Sequence, residues 1–390
     1  MLRYAAQAAL YLKKQKSLAE RRRESRKLKR GDYKKEIVSI PTEQAVRELE
    51  KIRPYHHTDC VPMTFSGRCA VSVIIPVYNA AATLEKCLDS VCEQVLEQTF
   101  EVICVNDGST DGSADILRAY AEKYPFLVFI EQENCGGAGA RNRGLKEAEG
   151  EYLFFLDADD FLPEGTLRKL LKDARTSGAD IVIGKTGKYL TKYEVAIYPR
   201  AEKSREETSL WETRKYGMGT PWGKLYKASL WQNVQFFEGD AFEDSIVYLD
   251  IYPQCRKFYL EGTPSYCFRS GQNNSLFKRQ KKSARGIDAL WIIIKGVQCA
   301  RKLGVEIHNS EYYQLVLWHL SAVMYGRLKQ FESEELLKNA FVVAAEFVCE
   351  EFAGRADYGF VDKDKEIYRL LEKSFRERDF GTWVQCSKAL

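Results

Sequence analysis

The sequence predicts an α/β fold with a Rossmann-like, mostly parallel sheet and helices on both faces. Three observations predict this fold. Short apolar segments alternate with helical segments from Val71 onward, a pattern typical of βαβ units. The apolar segments are nearly continuous, as strands buried on both faces are. Polar residues such as Asn79 and Asp107 directly follow the apolar segments, at the sheet edge where ligands bind in such folds.

The predicted elements follow one another in a regular order. The strands are VSVIIPVYN, FEVICVNDGS, FLVFIEQE, EYLFFLDADD and ADIVIGK, each an apolar run bounded by turn residues. The helices between them are ATLEKCLDSVCEQ, SADILRAYAEKY, AGARNRGLKEAEG and PEGTLRKLLKDARTSG, whose apolar residues recur at helical spacing. Together these segments make repeated strand–helix units.

Less regular sequence surrounds this core. Residues 190–275 are mixed, with one helix predicted near FEDSIVYLDIY, and three or four helices are predicted from about Ser283 onward. We therefore predict a basic N-terminal helical extension over residues 1–68, an α/β domain over 69–280 and a C-terminal helical region over 281–390. The C-terminal helices could pack on the α/β domain, shape a binding site or form a homo-oligomer, and their apolar faces favour core packing.

The basic residues are concentrated at the N-terminus. Residues 1–36 carry 13 Lys and Arg and 4 acidic residues, a net charge of +9, whereas the whole chain carries +4 and the remainder therefore −5. Two interpretations of this arm are favoured, contact with an anionic membrane surface and a solvated or disordered extension, and nucleic-acid binding is a third, weaker one. We expect no nucleic-acid partner.

The composition argues against several other classes. The 11 cysteines are scattered without a CxxC pair, which indicates reduced thiols in a cytoplasmic protein. We expect no signal peptide, because no small-residue cleavage site follows the first apolar residues, and no apolar run approaches the roughly 20 residues of a membrane span. The group His56, His57, Asp59 and Cys60 matches no standard zinc spacing, which favours a loop over a metal site.

Two glycine-containing segments resemble nucleotide-binding motifs but fail in detail. GGAGARNRG has Asn142 where a dinucleotide fingerprint has its third glycine, and GADIVIGKT has an apolar strand where a P-loop has its glycine loop. None of the four histidines lies in the α/β motifs, so that a Ser-His-Asp hydrolase is poorly supported.

Carboxylates at the ends of the predicted strands give the strongest functional signal. Asp157, Asp159 and Asp160 end an apolar strand, where unpartnered carboxylates would be costly to bury. Asp159 could hold Mg²⁺ or Mn²⁺, which prefer oxygen ligands and often share them with a diphosphate. Ordinary turn chemistry explains any single motif, but several in this order favour a metal–diphosphate site.

At this point the motifs VSVIIPVYNAAATLEKCLDSV, EVICVNDGSTDGS, NCGGAGARNRGLKEAEGEYLFFLDADD, PWGKLYKASL and FEDSIVYLD resemble the family 2 glycosyltransferases with the GT-A fold. The likeness is strongest to bacterial enzymes that build cell-surface polysaccharides, and it covers about residues 70–275.

The resemblance implies a role for each matching residue. Residues that would line the nucleotide-sugar pocket are Pro76, Tyr78, Glu85, Asp107 (the base, usually uracil), Arg141 (the phosphates) and Asp157 (the ribose or sugar). Asp159 would bind the metal and Asp244 would be the catalytic base. Candidates on the acceptor side are Trp222, Lys224, Glu243 and Arg269, with Ser275 a weaker one. Dipole-favoured acids at a helix start are the alternative for Glu243 and Asp244, and core packing is the alternative for Trp222.

The resemblance therefore implies inverting, metal-dependent transfer of a sugar from a nucleotide-diphosphate sugar, with a UDP-sugar favoured, to a hydroxyl of a glycan or lipid-linked glycan. The enzyme would act in the cytoplasm, with peripheral contact to the inner face of the membrane through the basic arm. A nucleotidyltransferase is a rival, but IPVYNAAATLEK lacks a glycine-rich triphosphate cradle. A catalytically silent nucleotide-sugar-binding or scaffolding protein on the same fold is the other alternative.

Overall fold

The computed structural model describes residues 2–56, 61–191, 195–217, 219–270, 284–353, 359–360 and 364–390, and of residues 2–14 the backbone alone. The chain forms two compact units. The sheet unit holds the described residues of 61–239 and 243–270. The helical unit holds those of 2–56, 240–242 and 284–390, so that it combines the N-terminal extension with the C-terminal helices. The predicted boundaries after residues 68 and 280 stay a prediction.

The sheet unit begins with the predicted strand–helix alternation. Its first elements are β1 (Cys69–Val77), α3 (Ala81–Cys92), β2 (Phe100–Asp107), α4 (Ser113–Lys123), β3 (Leu127–Gln132), α5 (Gly136–Glu147), β4 (Gly150–Phe155) and α6 (Thr166–Ser177). It continues with β5 (Ile181–Leu190), β6 (Val195–Ile197), β7 (Arg205–Glu207), α7 (Leu210–Thr213), β8 (Lys224–Lys227) and β9 (Phe258–Ser270).

These strands form one sheet in the order β3-β2-β1-β4-β8-β5-β9-β7, with β6 paired to β5. β1 to β4 pair in parallel with one another, as predicted. β8 lies between β4 and β5 and is antiparallel to both. The second half of the sheet is therefore mixed, because a short strand from a later segment takes the position beside β4.

Helices cover both faces of the parallel half. Val71, Val73 and Ile75 of β1 are fully buried in the core with residues of α3, α4 and α6. On the opposite face, Gly144 of α5 lies so close to Ile74 that an added Cβ would come within 2.5 Å of its Cγ2 atom. The predicted two-sided α/β layering is confirmed, and the close helix–strand approach explains why a glycine occupies that position.

The strand register determines where the predicted site residues lie. Val77 pairs with Asn106, and Ile74 with Phe155. The carboxyl ends of β1, β2 and β4 therefore reach the same edge of the sheet, and the residues that follow them share that edge.

The segment predicted as one helix near FEDSIVYLDIY is irregular. It contains a 3₁₀ turn (Glu243–Ser245), a π-helical turn (Val247–Ile251) and another 3₁₀ turn (Tyr252–Gln254). Pro253 lies at the start of that last turn, where its missing N–H prevents a regular α-helical continuation. Short turns of this kind often occur at functional positions.

The helical unit contains α1 (Leu2–Lys29), α2 (Thr42–Ile52), α8 (Asp288–Lys302), α9 (Ser310–Trp318), α10 (Met324–Leu328), α11 (Glu334–Glu351), α12 (Lys365–Arg376) and α13 (Phe380–Ala389). The N-terminal arm is held in this unit: Leu28 is buried, and the backbone N–H of Glu36 donates to Asp379. No helix among the described residues is long and apolar enough to cross a membrane. All ten described cysteines are free thiols.

Candidate active site

The loop after β1 is built around Asn79, a non-glycine residue with a φ of 48°. Its backbone N–H donates to the Ser109 hydroxyl, and its side-chain oxygen accepts from the N–H of Thr110. These bonds join the loop after β1 to the loop after β2. Tyr78 is 54% exposed beside them, and Pro76 is half-buried at the end of β1.

Asp107 ends β2 and is 1% exposed. Its Oδ1 atom accepts from Gln132 at 2.7 Å and from the N–H of Cys135 at 2.8 Å, and its Oδ2 atom accepts from the N–H of Gly136 at 2.8 Å. A carboxylate at the first backbone N–H groups of α5 is a favourable arrangement for a helix start. Asp107 therefore holds the β3–α5 connection in place.

Helix α3 connects this end of the site to the loop after β4. The Thr83 hydroxyl donates to the carbonyl of Ala158 at 3.1 Å, and the Cys87 thiol lies 3.6 Å from the carbonyl of Asp157. Glu85, on the same helix, is exposed. The loop carrying the acidic residues is thus positioned directly against the helix that follows the first strand.

Three carboxylates lie together after β4. One oxygen from each of Asp157, Asp159 and Asp160 lies within 4.8 Å of the others. Asp160 is fully buried, and its oxygens accept from the Tyr266 hydroxyl and the Arg269 backbone N–H, both at 2.7 Å. Burial, together with the charges of the other two carboxylates, raises the pKa of Asp160 to about 8. Asp160 therefore anchors the loop to β9.

Asp157 and Asp159 remain as the two carboxylates that a cation could reach. Burial and then the charge of Asp157 raise the pKa of Asp159 to about 6. Arg269 approaches Asp159 through a hydrogen bond to its backbone carbonyl, at 2.7 Å. An all-oxygen donor set with excess negative charge suits Mg²⁺ or Mn²⁺. The residues present fit a divalent cation.

Arg141 joins the loop after β4 that carries Asp157, Asp159 and Asp160, here called the acidic loop, to the segment after β8. It is 9% exposed, and it pairs with Asp157 at 2.8 Å and with Glu243 at 3.2 Å. Burial alone lowers the pKa of Arg141, but the charges of Asp157, Glu243 and Asp244 outweigh that effect and raise it. The guanidinium therefore stays charged and brings two predicted parts of the site together.

Asp244 follows Glu243 in the same half-buried 3₁₀ turn, and its charge acts on Arg141 and on Lys224. Lys224 is buried in β8 and donates to the carbonyls of Thr220 and Trp222. Burial lowers the pKa of Lys224 to about 7, while Asp244 acts in the opposite direction.

Trp222 is 8% exposed and packs on neighbouring aromatic rings. Its ring stacks on Tyr266 with centroids 4.5 Å apart, and on Phe268 at 5.8 Å. Because Tyr266 also donates to Asp160, the Trp222 ring supports the loop that carries the acidic residues.

Comparison with known proteins identifies the family. Residues 72–235 match the model of Glycosyl transferase family 2. The chain is 30% identical over 253 residues to Glycosyltransferase GlyG of Streptococcus pneumoniae. The matched region covers 61% of this chain and 82% of that protein. The chain is a family 2 glycosyltransferase. The predicted fold class and the predicted enzyme class are both confirmed.

Other relatives of this glycosyltransferase are bacterial proteins too. It is 29% identical over 315 residues to Glycosyltransferase GlyA of Streptococcus pneumoniae, over 75% of this chain and 44% of that protein. It is 42% identical over 118 residues to Poly(ribitol-phosphate) beta-glucosyltransferase of Bacillus spizizenii, over 30% of this chain and 19% of that protein. The chain thus spans less than half the length of these two relatives.

Solved structures give the same fold. Residues 1–349 of S. aureus TarS, in complex with UDP-GlcNAc, superpose with a TM-score of 0.62 at 20% identity, covering 82% of this chain and 91% of that chain. At this identity the likeness shows the GT-A architecture.

The glycosyltransferase brings most of its predicted site residues together. The group linked by the contacts above comprises Arg141, Asp157, Asp159, Trp222, Lys224, Glu243, Asp244 and Arg269. Pro76, Tyr78, Glu85 and Asp107 lie on the loops and the helix that follow the first two strands. The roles of all these residues stay predictions. Ser275, His57, Asp59 and Cys60 lie outside the described residues.

Tyr266 is the residue that sequence reasoning missed. The segment YCFRSG drew attention to Arg269, whereas Tyr266 makes the buried bond to Asp160. The signal lay in the third carboxylate of LDADD, because a buried acid needs a donor from another element.

Proposed function

We propose that this glycosyltransferase transfers a sugar, with inversion, from a UDP-sugar to a hydroxyl of a glycan or lipid-linked glycan in cell-surface polysaccharide synthesis. The observation that carries the proposal is the double ion pair of Arg141. Its guanidinium pairs with Asp157, which lies beside the cation-binding candidate Asp159, and with Glu243, which precedes Asp244. A donor diphosphate and an acceptor hydroxyl could therefore meet there.

Each residue of the candidate site would have its own role in the reaction. Asp159 and Asp157 would hold Mg²⁺ or Mn²⁺, which when bound neutralises charge on a departing diphosphate. Arg141 would add a fixed positive charge on the same side. Asp160 would keep the loop in place through Tyr266.

Asp244 would take the proton of the acceptor hydroxyl. Inversion is a single displacement at the anomeric carbon, so that one carboxylate base is sufficient, unlike the pair that retaining hydrolysis requires. Lys224, whose pKa is lowered to about 7 by burial, lies within electrostatic reach of this carboxylate. Its charge would help to hold Asp244 toward the site.

The relatives support the choice of substrates. TarS 1–349 has been seen with UDP-GlcNAc, which favours a UDP-sugar donor here. The relative from Bacillus spizizenii is by its name a glucosyltransferase acting on poly(ribitol-phosphate), which favours a surface-polymer acceptor. For this chain we propose action in the cytoplasm.

A donor-turnover assay tests the proposal. The purified protein is incubated with a panel of UDP- and GDP-sugars with Mn²⁺ or Mg²⁺, and released nucleotide is measured. We expect release from one UDP-sugar, lost with EDTA and lost in Asp159→Ala. Asp115→Ala, which breaks an exposed pair with Arg118, is the matched control and should behave as wild type. No release and no cation-dependent nucleotide binding would contradict the proposal.

We also propose that the basic arm contacts an anionic membrane surface. Five basic residues on α1, Lys16, Arg22, Arg23, Arg26 and Lys29, fall within an arc of about 140° at 3.6 residues per turn. All five are exposed, whereas Leu28 on the opposite side of the helix is buried. A stripe of this kind suits anionic headgroups, and lipid-linked acceptors would be available there.

Vesicle sedimentation tests this contact. Because removal of residues 1–36 would also remove Leu28 and Glu36 from the helical unit, charge neutralisation is the cleaner change. Arg22→Gln, Arg23→Gln and Arg26→Gln together should reduce binding to vesicles containing phosphatidylserine. The same number of substitutions at the exposed Lys146, Lys172 and Lys203 should not. Equal binding by both triple variants would contradict the contact.

A further inference from the structure

A phenylalanine of the sheet unit, Phe236, lies against the Arg141 guanidinium on which the proposed function depends. The Cζ atom of Arg141 lies over the Phe236 ring, 5.5 Å from its centroid. A cation within about 6 Å of an aromatic face is attracted to it, and more strongly where water is excluded. Arg141 is 9% exposed and Phe236 is 1% exposed, so that this contact is made away from water.

Within the described part of the chain, hydrogen bonds hold two of the three guanidinium nitrogens. One terminal nitrogen donates to Asp157 at 2.8 Å and the other to Glu243 at 3.2 Å, while the buried Nε atom has no hydrogen-bond partner among the described residues. Asp157 is also a candidate ligand of the cation, and a bound cation would compete with Arg141 for its carboxylate. The Phe236 ring is uncharged and would hold the guanidinium with or without the cation.

The backbone of Phe236 is fixed by the residue that follows Arg141 in α5. The Asn142 side-chain oxygen accepts from the N–H of Phe236, and its side-chain nitrogen donates to the carbonyl of Phe236, both at 2.9 Å. The same nitrogen donates to Glu238 at 2.8 Å, and Asn142 is 2% exposed. A side-chain amide offers a donor and an acceptor together. Two consecutive residues of one helix therefore bind the backbone of Phe236 and lie on its ring.

Buried aromatic side chains also support the Phe236 ring. It stacks on Trp231 with centroids 5.1 Å apart and meets Phe155 edge-on at 5.5 Å. Phe155 is fully buried at the end of β4, two residues before Asp157. The strand that leads to Asp157 therefore also supports the ring that lies against Arg141.

We propose that Phe236 is a positioning residue, which holds the Arg141 guanidinium toward the diphosphate of the nucleotide-sugar. This inference rests on the proposed function, in which Arg141 lies on the diphosphate side. Packing alone does not explain the arrangement, because a charged group is costly to bury and an apolar core does not require one over a ring. Phe236 would act on the nucleotide through Arg141.

The affinities for UDP and for uridine together test the inference. UDP carries the diphosphate that Arg141 would meet, whereas uridine carries the same base and ribose without it. In Phe236→Leu, Kd for UDP with Mn²⁺ should rise about 10-fold through loss of a desolvated cation–π contact, while Kd for uridine stays within about two-fold. Calorimetric titration measures UDP, and ligand-observed NMR measures the weaker uridine. Equal losses for the two ligands would overturn the inference.

Phe258→Leu is the matched control. Phe258 belongs to the same sheet unit, is also 1% exposed and packs on Tyr252 with ring centroids 5.2 Å apart. Its replacement should lower the melting temperature, as Phe236→Leu does, because both changes leave a cavity. The ratio of the two Kd values should stay at the wild-type value. An equal change of this ratio in both variants would assign the effect to lost packing and overturn the inference.

A double-mutant cycle tests whether Phe236 acts through Arg141. Arg141→Lys retains the charge but loses the planar group that lies on the ring. In this background Phe236→Leu should raise Kd for UDP by no more than about two-fold, because residues that act through one contact are not additive. A further rise of about 10-fold, equal to that in the wild-type background, would overturn the inference.

A second variant keeps the test valid if Phe236→Leu folds poorly. Phe236→Met also removes the aromatic face, and methionine adapts to irregular gaps in a core, so that the same change in the ratio of Kd values is expected. A wild-type ratio in either folded variant would overturn the inference. A wild-type protein without cation-dependent UDP binding would overturn the proposed function itself, and the inference with it.

Discussion

Two carboxylates at the same edge of the sheet, Asp107 and Asp159, are surrounded in opposite ways. Asp107 is 1% exposed and accepts three hydrogen bonds from N–H groups of the β3–α5 connection. Asp159 lies beside two other acids, and burial and the charge of Asp157 raise its pKa to about 6. The protein satisfies the first carboxylate with its own donors, whereas at the second the charges of Arg269 and Arg141 do not offset burial and the neighbouring Asp157.

The difference separates residues that build the site from residues that need a ligand. A carboxylate with internal donors stabilises the fold in the free protein. A carboxylate held among like charges destabilises the free protein. A bound cation relieves this repulsion, and the relief adds to the affinity for the cation. Position at the edge of the sheet alone does not distinguish the two.

The largest expected effect concerns Asp159. In Asp159→Asn, addition of UDP with Mn²⁺ should no longer raise the melting temperature. In wild type, ligand at 100 times its Kd should add about 2.7 kcal/mol of stability. The free variant should be no less stable than wild type, because one of three crowded negative charges is removed. Scanning calorimetry with and without ligand measures both quantities, and an unchanged ligand-induced shift would remove Asp159 from the cation site.

Asp107→Asn, unlike Asp159→Asn, should destabilise the free protein. An amide would turn a donor group toward the N–H of Cys135 or Gly136, so that the free protein should lose about 1–3 kcal/mol of unfolding free energy. Urea denaturation without ligand measures this loss, and Glu133→Gln on an exposed neighbouring position is the control. Normal stability with weakened UDP binding would instead show that Asp107 acts on the base, as the resemblance implies.

A carboxyl pair remote from the strand ends, Asp173 and Glu261, extends the comparison. Its effect on stability should be the smallest of the three. Burial and the neighbouring Glu261 raise the pKa of Asp173, while Lys169 lies 3.3 Å from Glu261. The folded protein therefore binds more protons than the unfolded chain, and stability should fall as the pH rises from the ordinary Asp range of about 4 toward neutrality. Asp173→Asn should flatten this dependence between pH 5 and pH 8 in urea melts. An identical slope in the variant would assign the dependence to other groups.

Local sequence patterns were sufficient to predict the parallel half of the sheet. β1 to β4 are apolar runs separated by helices of ordinary spacing, and parallel neighbours bring Asn79, Asp107 and Asp157 to one edge. The position of β8 could not be predicted in this way. Lys224–Lys227 is four residues long, and its place between β4 and β5 depends on long-range pairing that no local pattern encodes.

The partners of the buried polar side chains were also beyond local reasoning. Asp160 and Tyr266 are 106 residues apart in the chain, yet they share a buried hydrogen bond. Asp240 and Lys295, which form a buried ion pair, are separated by 55 residues. Charge and burial indicate that such groups need partners, but only the folded chain shows which partners they find. The LDADD and FEDS motifs were predicted as separate parts of a site, and Arg141 pairs with an acid of each.

The most direct test of the account is Asp244→Asn. Release of nucleotide from the preferred donor is measured in the presence of Mn²⁺ and acceptor, beside the affinity for UDP. We predict that transfer falls by at least about 100-fold, the lower range for loss of a general base, while cation-dependent UDP binding and melting temperature stay at wild-type values. Transfer at the wild-type rate would contradict the assignment of Asp244 as the base and, with it, the proposed mechanism.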